Sequence, residues 1–567
     1  MTQPIYEKRE ISDFKDLINQ SVSIYGNKDA FWIKNPMKEY EGITYKELKR
    51  DIDALGTEFI NMGLKHEKIA VIGENRYEWC LTYLATTCGT GTIVPLDKEL
   101  PANELKYLLE CAKVKAIVFS DKLADKVVES VQGITDIKYF INMDLKDDVQ
   151  GCLSFSKILR RGNNLLKIGD KKFINAKVNP DESTILLFTS GTTGLAKGVL
   201  LSQKNICADI VATTQVVDVT EEDVTLSILP LHHTYECTVN FLLMLYSGAR
   251  ISFCEGLRYI ITNMQEVKPT VMIAVPLIYE KIYKNILDTA GKTGKMPILQ
   301  GGLKVSKLAR KINVDLRKKL FGSILDNFGG RMRLAISGGA ASKPEILKEL
   351  QDLGFFVIQG YGLTEASPIA FVNHVDEYKN NSIGKPLPGL EAKIENADKD
   401  GTGEIWIRGP IVMNGYFENE EATNATITED GWLNTGDLGY KDSEDYYYVT
   451  GRKKNVIVTK NGKNIFPEEV EAYLNKSEFI RESMVFGKEV EDEVEPLVCA
   501  IIVPDYDAIR TVTNKSNIDD DEVKKIITQE VKKANRQMPT YKYVKKFEIQ
   551  KQELSKTTTH KIKRYKN

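Results

Sequence analysis

Short apolar runs and longer amphipathic stretches alternate along the first two thirds of the chain. KIAVIG (68–73), TIVPL (92–96) and AIVFS (116–120) are apolar runs, with the helix-like EWCLTYLATT (78–87) and ANELKYLLECAK (102–113) between them. This alternation predicts buried parallel strands joined by crossover helices. Just before them, ITYKELKRDIDALGTEFINMGL (43–64) sets Leu48, Ile52, Leu55, Phe59 and Ile60 at helical spacing behind a capping box of Thr44 and Glu47, and closes near Gly63. The pattern returns with VMIAVP (271–276), LIYEKIYKNILDTA (277–290), RLAISG (333–338), PEILKELQDLG (344–354) and FFVIQG (355–360).

After about Gly384 the texture changes to strands and tight turns: LEAKIENADKDGTGEIWIRG (390–409), DYYYVTG (445–451), and NVIVTKNGKNIF (455–466) with a hairpin signal at Asn461 and Gly462. A domain boundary is expected near Gly451. The remainder, with a helix over 520–535 and a strand YVKKFEI (543–549), is long enough for a small α+β domain. The expected fold class is therefore α/β: a large N-terminal domain (1–450) of α/β layers with a β-rich end, and a small C-terminal domain (456–567).

Composition changes this picture little. A hydrophobic fraction of 42% and a charged fraction of 28% are those of an ordinary globular chain rather than a disordered one. The net charge of -2 gives no global attraction to nucleic acid. Eight cysteines without a CxxC pair indicate neither a zinc site nor a disulfide framework, which fits a reducing cytoplasm. No stretch reads as a signal peptide or a bilayer span, so a soluble cytoplasmic protein is expected.

The first chemical signal is TSGTTGLAKGV (189–199), set between the apolar ILLF and VLLSQ. Thr189, Ser190, Gly191, Thr192, Thr193 and Gly194 offer hydroxyls and closely approachable amides, and Lys197 offers a cation, a combination suited to polyphosphate. It is not a Walker A loop, because Lys197 follows Ala196 and precedes Gly198, and the downstream element reads as a strand.

This loop resembles the phosphate loop of the acyl-adenylate-forming superfamily, and the other motifs of that superfamily follow in order. In closest motif pattern the chain is similar to long-chain acyl-CoA synthetases. QGYGLTEASP (359–368) resembles the adenine and magnesium motif, which implies that Gly360, Tyr361 and Gly362 hold the base, that Thr364 bonds the α-phosphate and that Glu365 holds Mg²⁺. SGGAA (337–341) resembles the turn that lines adenine and acyl group, through Gly338 and Gly339. NTGDLG contains Asp437, which the resemblance assigns to the two ribose hydroxyls. GRKKNVIV supplies Arg452 for ribose or phosphate and Lys454 as hinge (451–455). SKTTTHKIKR carries Lys561 as the catalytic lysine. Two positions depart from the usual C-terminal motif, Ser555 for proline and His560 for glycine, and Ala196 stands where the phosphate loop usually has proline. Singly, Tyr361 could be a core aromatic and Glu365, Asp437, Arg452 and Lys561 surface charges; six motifs in one order are not explained that way.

PLHHTYE (230–236) is similar to the PLxHxxE pattern of long-chain acyl-CoA synthetases, which implies an acyl site with His233, Tyr235 and Gly339; Glu236 holds the acidic position. The apolar FLLMLYSG (241–248) reads either as a tunnel wall or as a buried core helix. Gly462, on the segment that would swing in for the second step, is the candidate for CoA binding. The implied partners are a carboxylic acid, ATP and CoA, with Mg²⁺ as cofactor. The implied reaction is acyl-AMP formation followed by thioester formation after rotation of the small domain about Lys454. Fatty, aryl and branched acids, a carrier-protein acceptor, and a non-catalytic nucleotide-binding homologue stay open. Finally, KVSKLARKINVDLRKKLFG (304–322) reads as one basic helix with Val305, Leu308, Ile312 and Leu316 on one side, either simply solvated or in weak peripheral contact with an anionic membrane.

Overall fold

The computed structural model describes residues 2–189, 196–310, 312, 314–458, 464–488, 496–513, 515, 518–556, 562 and 564. The chain divides into two compact units, Met1–Glu391 with Ile407–Leu433 and Ala392–Trp406 with Asn434–Asn567.

The first unit is α/β, built on two sheets. Among the described residues, one has eight strands in the order Gly415–Tyr416, Lys197–Ser202, Ser183–Thr189, Thr92–Pro95, Lys68–Ile72, Ala116–Phe119, Tyr139–Asn142, Leu153–Ser154. The expected runs around 70, 94 and 117 are its parallel centre, crossed over by the helices Tyr77–Ala85 and Ala102–Ala112. Ala70, Ile72, Val94, Leu105, Leu109 and Ile117 bury against one another, each larger side chain contributing about 1.5–3 kcal/mol. The helix Tyr45–Asn61 starts on the expected capping box, Thr44 and Glu47 each accepting from the other's backbone amide, a device that contributes about 1 kcal/mol.

The other sheet has nine strands among the described residues: Lys385–Pro386, Ile369–Val372, Val357–Gly362, Leu334–Ser337, Val271–Ala274, Val224–Ser227, Arg250–Phe253, Asp29–Lys34, Tyr40–Thr44. Its inner strands from Val357–Gly362 to Val224–Ser227 run parallel. Their carboxyl ends therefore open on one edge, where ligand loops of α/β sheets collect. Helices Pro276–Lys292 and Pro344–Leu353 pack over Met272, Ala335 and Val357.

One local expectation left open is decided and another is changed. The 241–248 stretch is core: π-helical backbone over Tyr235–Leu242 runs into the helix Leu243–Ser247, and Phe241 to Tyr246 are all buried. The basic stretch is two helices, Met296–Arg310 and Arg317–Asp326, not one. The side chain of Asp315 accepts the Arg317 amide at 3.0 Å and its guanidinium at 2.9 and 2.7 Å. A short acidic side chain bonding to the backbone two residues on favours a new helix start over continuation.

The second unit carries a four-stranded sheet of Glu391–Glu395, Gly403–Arg408, Leu433–Lys441 and Tyr447–Arg452, and a three-stranded sheet of Ile480–Lys488, Leu497–Pro504 and Lys546–Ile549. Helices Pro467–Leu474 and Asp520–Asn535 cover the latter through Val470, Leu474, Ile527 and Val531. Strand Ile457–Val458 pairs with Asn464–Ile465 as the hairpin signal requires, while Asn461 and Gly462 lie outside the described residues. Among the described residues no helix is long and apolar enough to cross a membrane.

Candidate active site

Strands Ser183–Thr189 and Lys197–Ser202 pair antiparallel with Thr189 opposite Lys197, and Thr189 Oγ1 donates to the Lys197 carbonyl at 3.4 Å. The glycine-rich loop is thus held at both ends. Ser190, Gly191, Thr192, Thr193 and Gly194 lie outside the described residues. Lys197 Nζ stands 4.9 Å from the ring centre of Tyr416, close enough for cation–π attraction. Tyr416 OH in turn donates to Glu365 Oε1 at 3.0 Å. Sequence reasoning missed Tyr416. It arrives because Gly415–Tyr416 pairs with the strand after the loop, Tyr416 opposite Val199, with the Phe417 amide on the Gly198 carbonyl at 2.7 Å. Burial, and then the Glu365 carboxylate, raise the Tyr416 pKa, so the phenol stays a donor. The Met413 amide donates to the Glu365 carbonyl at 2.9 Å, so one segment fixes both ends of that residue.

Thr364 and Glu365 form the turn Thr364–Ala366 directly after the strand Val357–Gly362, which carries Gly360 and Tyr361. Tyr361 pairs with Phe371 across the antiparallel neighbour, their rings edge-on at 5.8 Å. The return is tight: a Cβ on Gly362 would stand 1.9 Å from the Pro368 carbonyl oxygen. Two further anchors hold it. Ser367, at φ +73°, donates through Oγ to the Ile411 carbonyl at 2.7 Å. The Ile369 amide donates to Asp209 Oδ2 at 3.2 Å. Asp209 is fully buried on the helix Gln203–Thr214 that follows the loop hairpin, and burial raises its pKa well above the carboxylate range.

Gly338 and Gly339 follow the adjacent strand Leu334–Ser337, and the Ser342 amide donates to Gln359 Oε1 at 3.0 Å, tying this turn to the Tyr361 strand. Tyr235 packs on the turn. Its hydroxyl donates to the Ile336 carbonyl at 3.1 Å, and a Cβ on Gly338 would lie 2.8 Å from its ring, so the close approach requires glycine.

The His233 ring lies beside that of His232, tilted by 44° with ring centres 4.1 Å apart. Burial pulls the pKa of His232 down to about 3, leaving it neutral. Glu236 is wholly buried. Its Oε1 accepts from Ser227 Oγ at 2.5 Å and Asn240 Nδ2 at 2.7 Å, while Oε2 has no hydrogen-bond partner among the described residues. Burial therefore outweighs its donors and raises its pKa to about 8. Asn75, in the loop after the strand Lys68–Ile72 of the other sheet, donates to Ser227 Oγ and to the Leu229 carbonyl and accepts from the Leu231 amide. It clamps the loop that presents both histidines.

In the second unit, Asp437 and Arg452 face each other on paired strands, Nε to Oδ1 at 2.9 Å. The Asp437 side chain is 6% exposed and Arg452 45%, so the pair sits at a wall with its cation outward. Lys454 lies in the turn Lys453–Asn455, which is tethered by Lys453 to Glu404 and by Asn455 to Glu468, both at 2.7 Å. A cavity of about 430 Å³ is lined by Lys454, Asn455, Met484, Phe486, Pro496 and Arg564 among others. Arg564 also pairs with Glu471 at 2.6 Å. Lys561, His560 and Gly462 lie outside the described residues.

The first unit thus gathers a cation, a carboxylate and hydroxyls on the edges where loops of two sheets meet, a donor set for an anionic, oxygen-rich ligand. Among the described residues no group of three or more His, Cys, Asp or Glu side chains forms a metal cage.

Comparison with known proteins adds to this geometry. Residues 18–417 match the family described as AMP-binding enzyme, and residues 454–566 match the AMP-binding enzyme C-terminal domain. The chain is 26% identical over 546 residues to long-chain-fatty-acid–CoA ligase 6 of Mus musculus, covering 91% of this chain and 77% of that protein. It is 28% identical over 503 residues to the peroxisomal long chain acyl-CoA synthetase 6 of Arabidopsis thaliana, covering 83% and 70%. In fold it is similar to an anthranilate CoA ligase in complex with anthranoyl-AMP (TM-score 0.74, 20% identity, 99% and 96% covered). It is likewise similar to the O-succinylbenzoate coenzyme A synthetase of Bacillus subtilis in complex with AMP (TM-score 0.73, 22% identity, 99% and 97% covered).

Proposed function

Because the chain belongs to the AMP-binding enzyme family, we propose that it activates a carboxylic acid, a medium- or long-chain fatty acid, with ATP and passes the acyl group to CoA in the cytoplasm. The observation that carries the reading is the Lys197–Tyr416–Glu365 arrangement on the hairpin of the glycine-rich loop. The acid carboxylate attacks the α-phosphorus of ATP, the bond to the bridging oxygen breaks, and pyrophosphate leaves with that electron pair. Attack brings two anions together, so fixed positive charge and oriented donors supply most of the rate. Lys197, Thr189 and the loop amides neutralise and orient the phosphates, and Thr364 bonds the α-phosphate. Tyr416 keeps Glu365 aimed. Asp437, held by Arg452, takes the ribose hydroxyls, and Tyr361 with Gly338, Gly339, Gly360 and Gly362 takes the base.

Magnesium fits this donor set: Glu365 would offer it one hard oxygen ligand, and Mg²⁺ characteristically takes one or two carboxylates together with substrate phosphates rather than an all-protein cage. When bound, it supplies charge neutralisation at those phosphates. In the second step the CoA thiolate attacks the acyl carbon and AMP leaves. Lys561 serves only the first step, Lys454 is the pivot between the two, and Gly462 borders the pantetheine path. The second family match beginning at residue 454 supports that pivot.

The fatty-acid reading is supported by the names of the relatives and by PLHHTYE, where His233 and Tyr235 would border the carboxyl end of the acyl group. ATP–pyrophosphate exchange across acids from acetate to palmitate, with benzoate and cinnamate, tests it. Exchange should peak with the longer aliphatic acids. A peak on the aryl acids reassigns the pocket, and no exchange with any acid overturns the activity. CoA against holo carrier protein as acceptor then identifies the thiol.

A further inference from the structure

The helix Met296–Arg310 presents two unlike faces. Inward, Leu299, Ser306 and Ala309 are buried, Ser306 Oγ donates to the Asp352 carbonyl at 3.3 Å, and Arg310 pairs with the Asp352 carboxylate at 2.9 Å. Outward, Ile298 is 74% exposed, Val305 50% and Leu308 67%, with Ile312 73% exposed just beyond the helix end. Positions 298, 305 and 308 fall within about a quarter of the helical circumference, on one face of the helix, and Ile312 is exposed just past its end. Leu320 of the following helix is exposed as well.

Charge singles out this region again. Between Asp288 and Asp326 the chain carries nine lysines and arginines and a single acid, Asp315, in a protein whose net charge is -2. Asp315 is itself paired with Arg317. Lys295, Lys304, Lys318 and Lys319 are exposed. Apolar side chains that a globular surface ordinarily buries, bordered by lysines with almost no acids, are the arrangement of a helix lying in the interface of an anionic bilayer.

We propose that the helix pair Met296–Arg310 and Arg317–Asp326 is a docking surface for anionic phospholipid, with Ile298, Val305, Leu308 and Ile312 entering the acyl boundary and the lysines meeting the headgroups. A second copy of the chain fits worse, since two such surfaces face to face would oppose like charges. A nucleic-acid backbone would satisfy the lysines but leave the apolar stripe against phosphate. The proposal does not depend on which acid the site activates.

Co-sedimentation of the full chain tests it, using phosphatidylcholine vesicles with and without about a third phosphatidylglycerol. The protein should bind the anionic vesicles, release as salt rises, and ignore phosphatidylcholine alone. Leu308→Glu with Ile298→Glu should weaken binding at least about tenfold by placing carboxylates in the apolar layer. Each of Lys304→Gln, Lys318→Gln and Lys319→Gln should cost about fivefold. The substituted positions are exposed, so melting temperatures should match the unaltered protein and exclude misfolding as the cause. Anionic binding that both sets of variants leave unchanged, or its absence, overturns the proposal. So does sedimentation velocity showing a dimer that Leu308→Glu dissociates, which would assign the stripe to a second copy.

Discussion

Tyr416 holds the middle of a chain of three side chains, with a cation over its ring and a carboxylate on its hydroxyl. Glu365→Gln should preserve the fold yet lower pyrophosphate exchange on the order of 10²-fold or more, the usual loss for one preorganised charge-stabilising group. Tyr416→Phe keeps the ring for Lys197 and removes only the hydroxyl, so exchange should fall by about tenfold, the worth of a hydrogen bond to a charged group. If Tyr416→Phe exchanges at the full rate, the hydroxyl has no part in aiming Glu365.

Glu236 allows a test by pH. Its folded pKa, about 8, lies above its ordinary value, so it stabilises the fold while protonated and that contribution is lost as pH rises through about 8. Thermal stability should therefore decline between about pH 5 and 9, and Glu236→Gln, neutral throughout, should show a flatter profile. An unchanged slope would mean that Glu236 titrates normally. Neither Tyr416 nor Asn75 was legible in the sequence. Tyr416 lies 51 residues from its partner Glu365 and Asn75 lies 152 from Ser227, and nothing in either local stretch announces a contact made only through strand pairing and the meeting of two sheets. Thr189, Lys197, Tyr361, Thr364 and Glu365 could be named as candidates from the sequence because each motif is contiguous and its residue types match a chemistry.

At the scale of elements, the hairpin around Thr364 and Glu365 is shaped by contact more than by propensity. Gly362→Ala would drive a methyl into the Pro368 carbonyl oxygen, forcing apart the strands that present the turn. The expected cost is about 1–3 kcal/mol in chemical denaturation, with a larger fractional loss of exchange than of stability because the turn itself moves. Equal ATP affinity and exchange in the variant would show that the turn tolerates the shift. Element existence was largely legible here: the apolar runs at 68, 92, 116, 271 and 333 are strands, and the Thr44–Glu47 box opens its helix as expected. The basic stretch was misread as one helix because its apolar periodicity continues past Arg310, while the bonds from Asp315 to Arg317 that restart the helix are a local competition invisible to periodicity.

For the whole molecule the decisive measurement separates two half reactions. Lys561→Ala should lower adenylate formation from acid and ATP on the order of 10²-fold or more. Thioester formation from prepared acyl-AMP and CoA should survive it. Equal damage to both, or to neither, would remove the alternation of the two domains from the account. The change in texture after Gly384 is visible in the sequence, but the clustering of 392–406 with the C-terminal residues rests on Gly403–Arg408 pairing with Leu433–Lys441 in one sheet, which no local pattern announces.

The pairing of Thr189 with Lys197 has a consequence for how this protein tolerates change. Because the hairpin brings the two ends together, the entropy of closing the loop is spent by the strands rather than by the loop residues, and doubling the loop's length would cost only about 0.6 kcal/mol. A Gly-Ser pair inserted after Gly194 should therefore leave the melting transition almost unmoved while abolishing exchange. A large fall in melting temperature would instead make the loop part of the folding unit. Robustness and activity are thus written in different residues of one hairpin, which makes the loop a place where evolution, or an engineer, can vary the catalyst without endangering the scaffold.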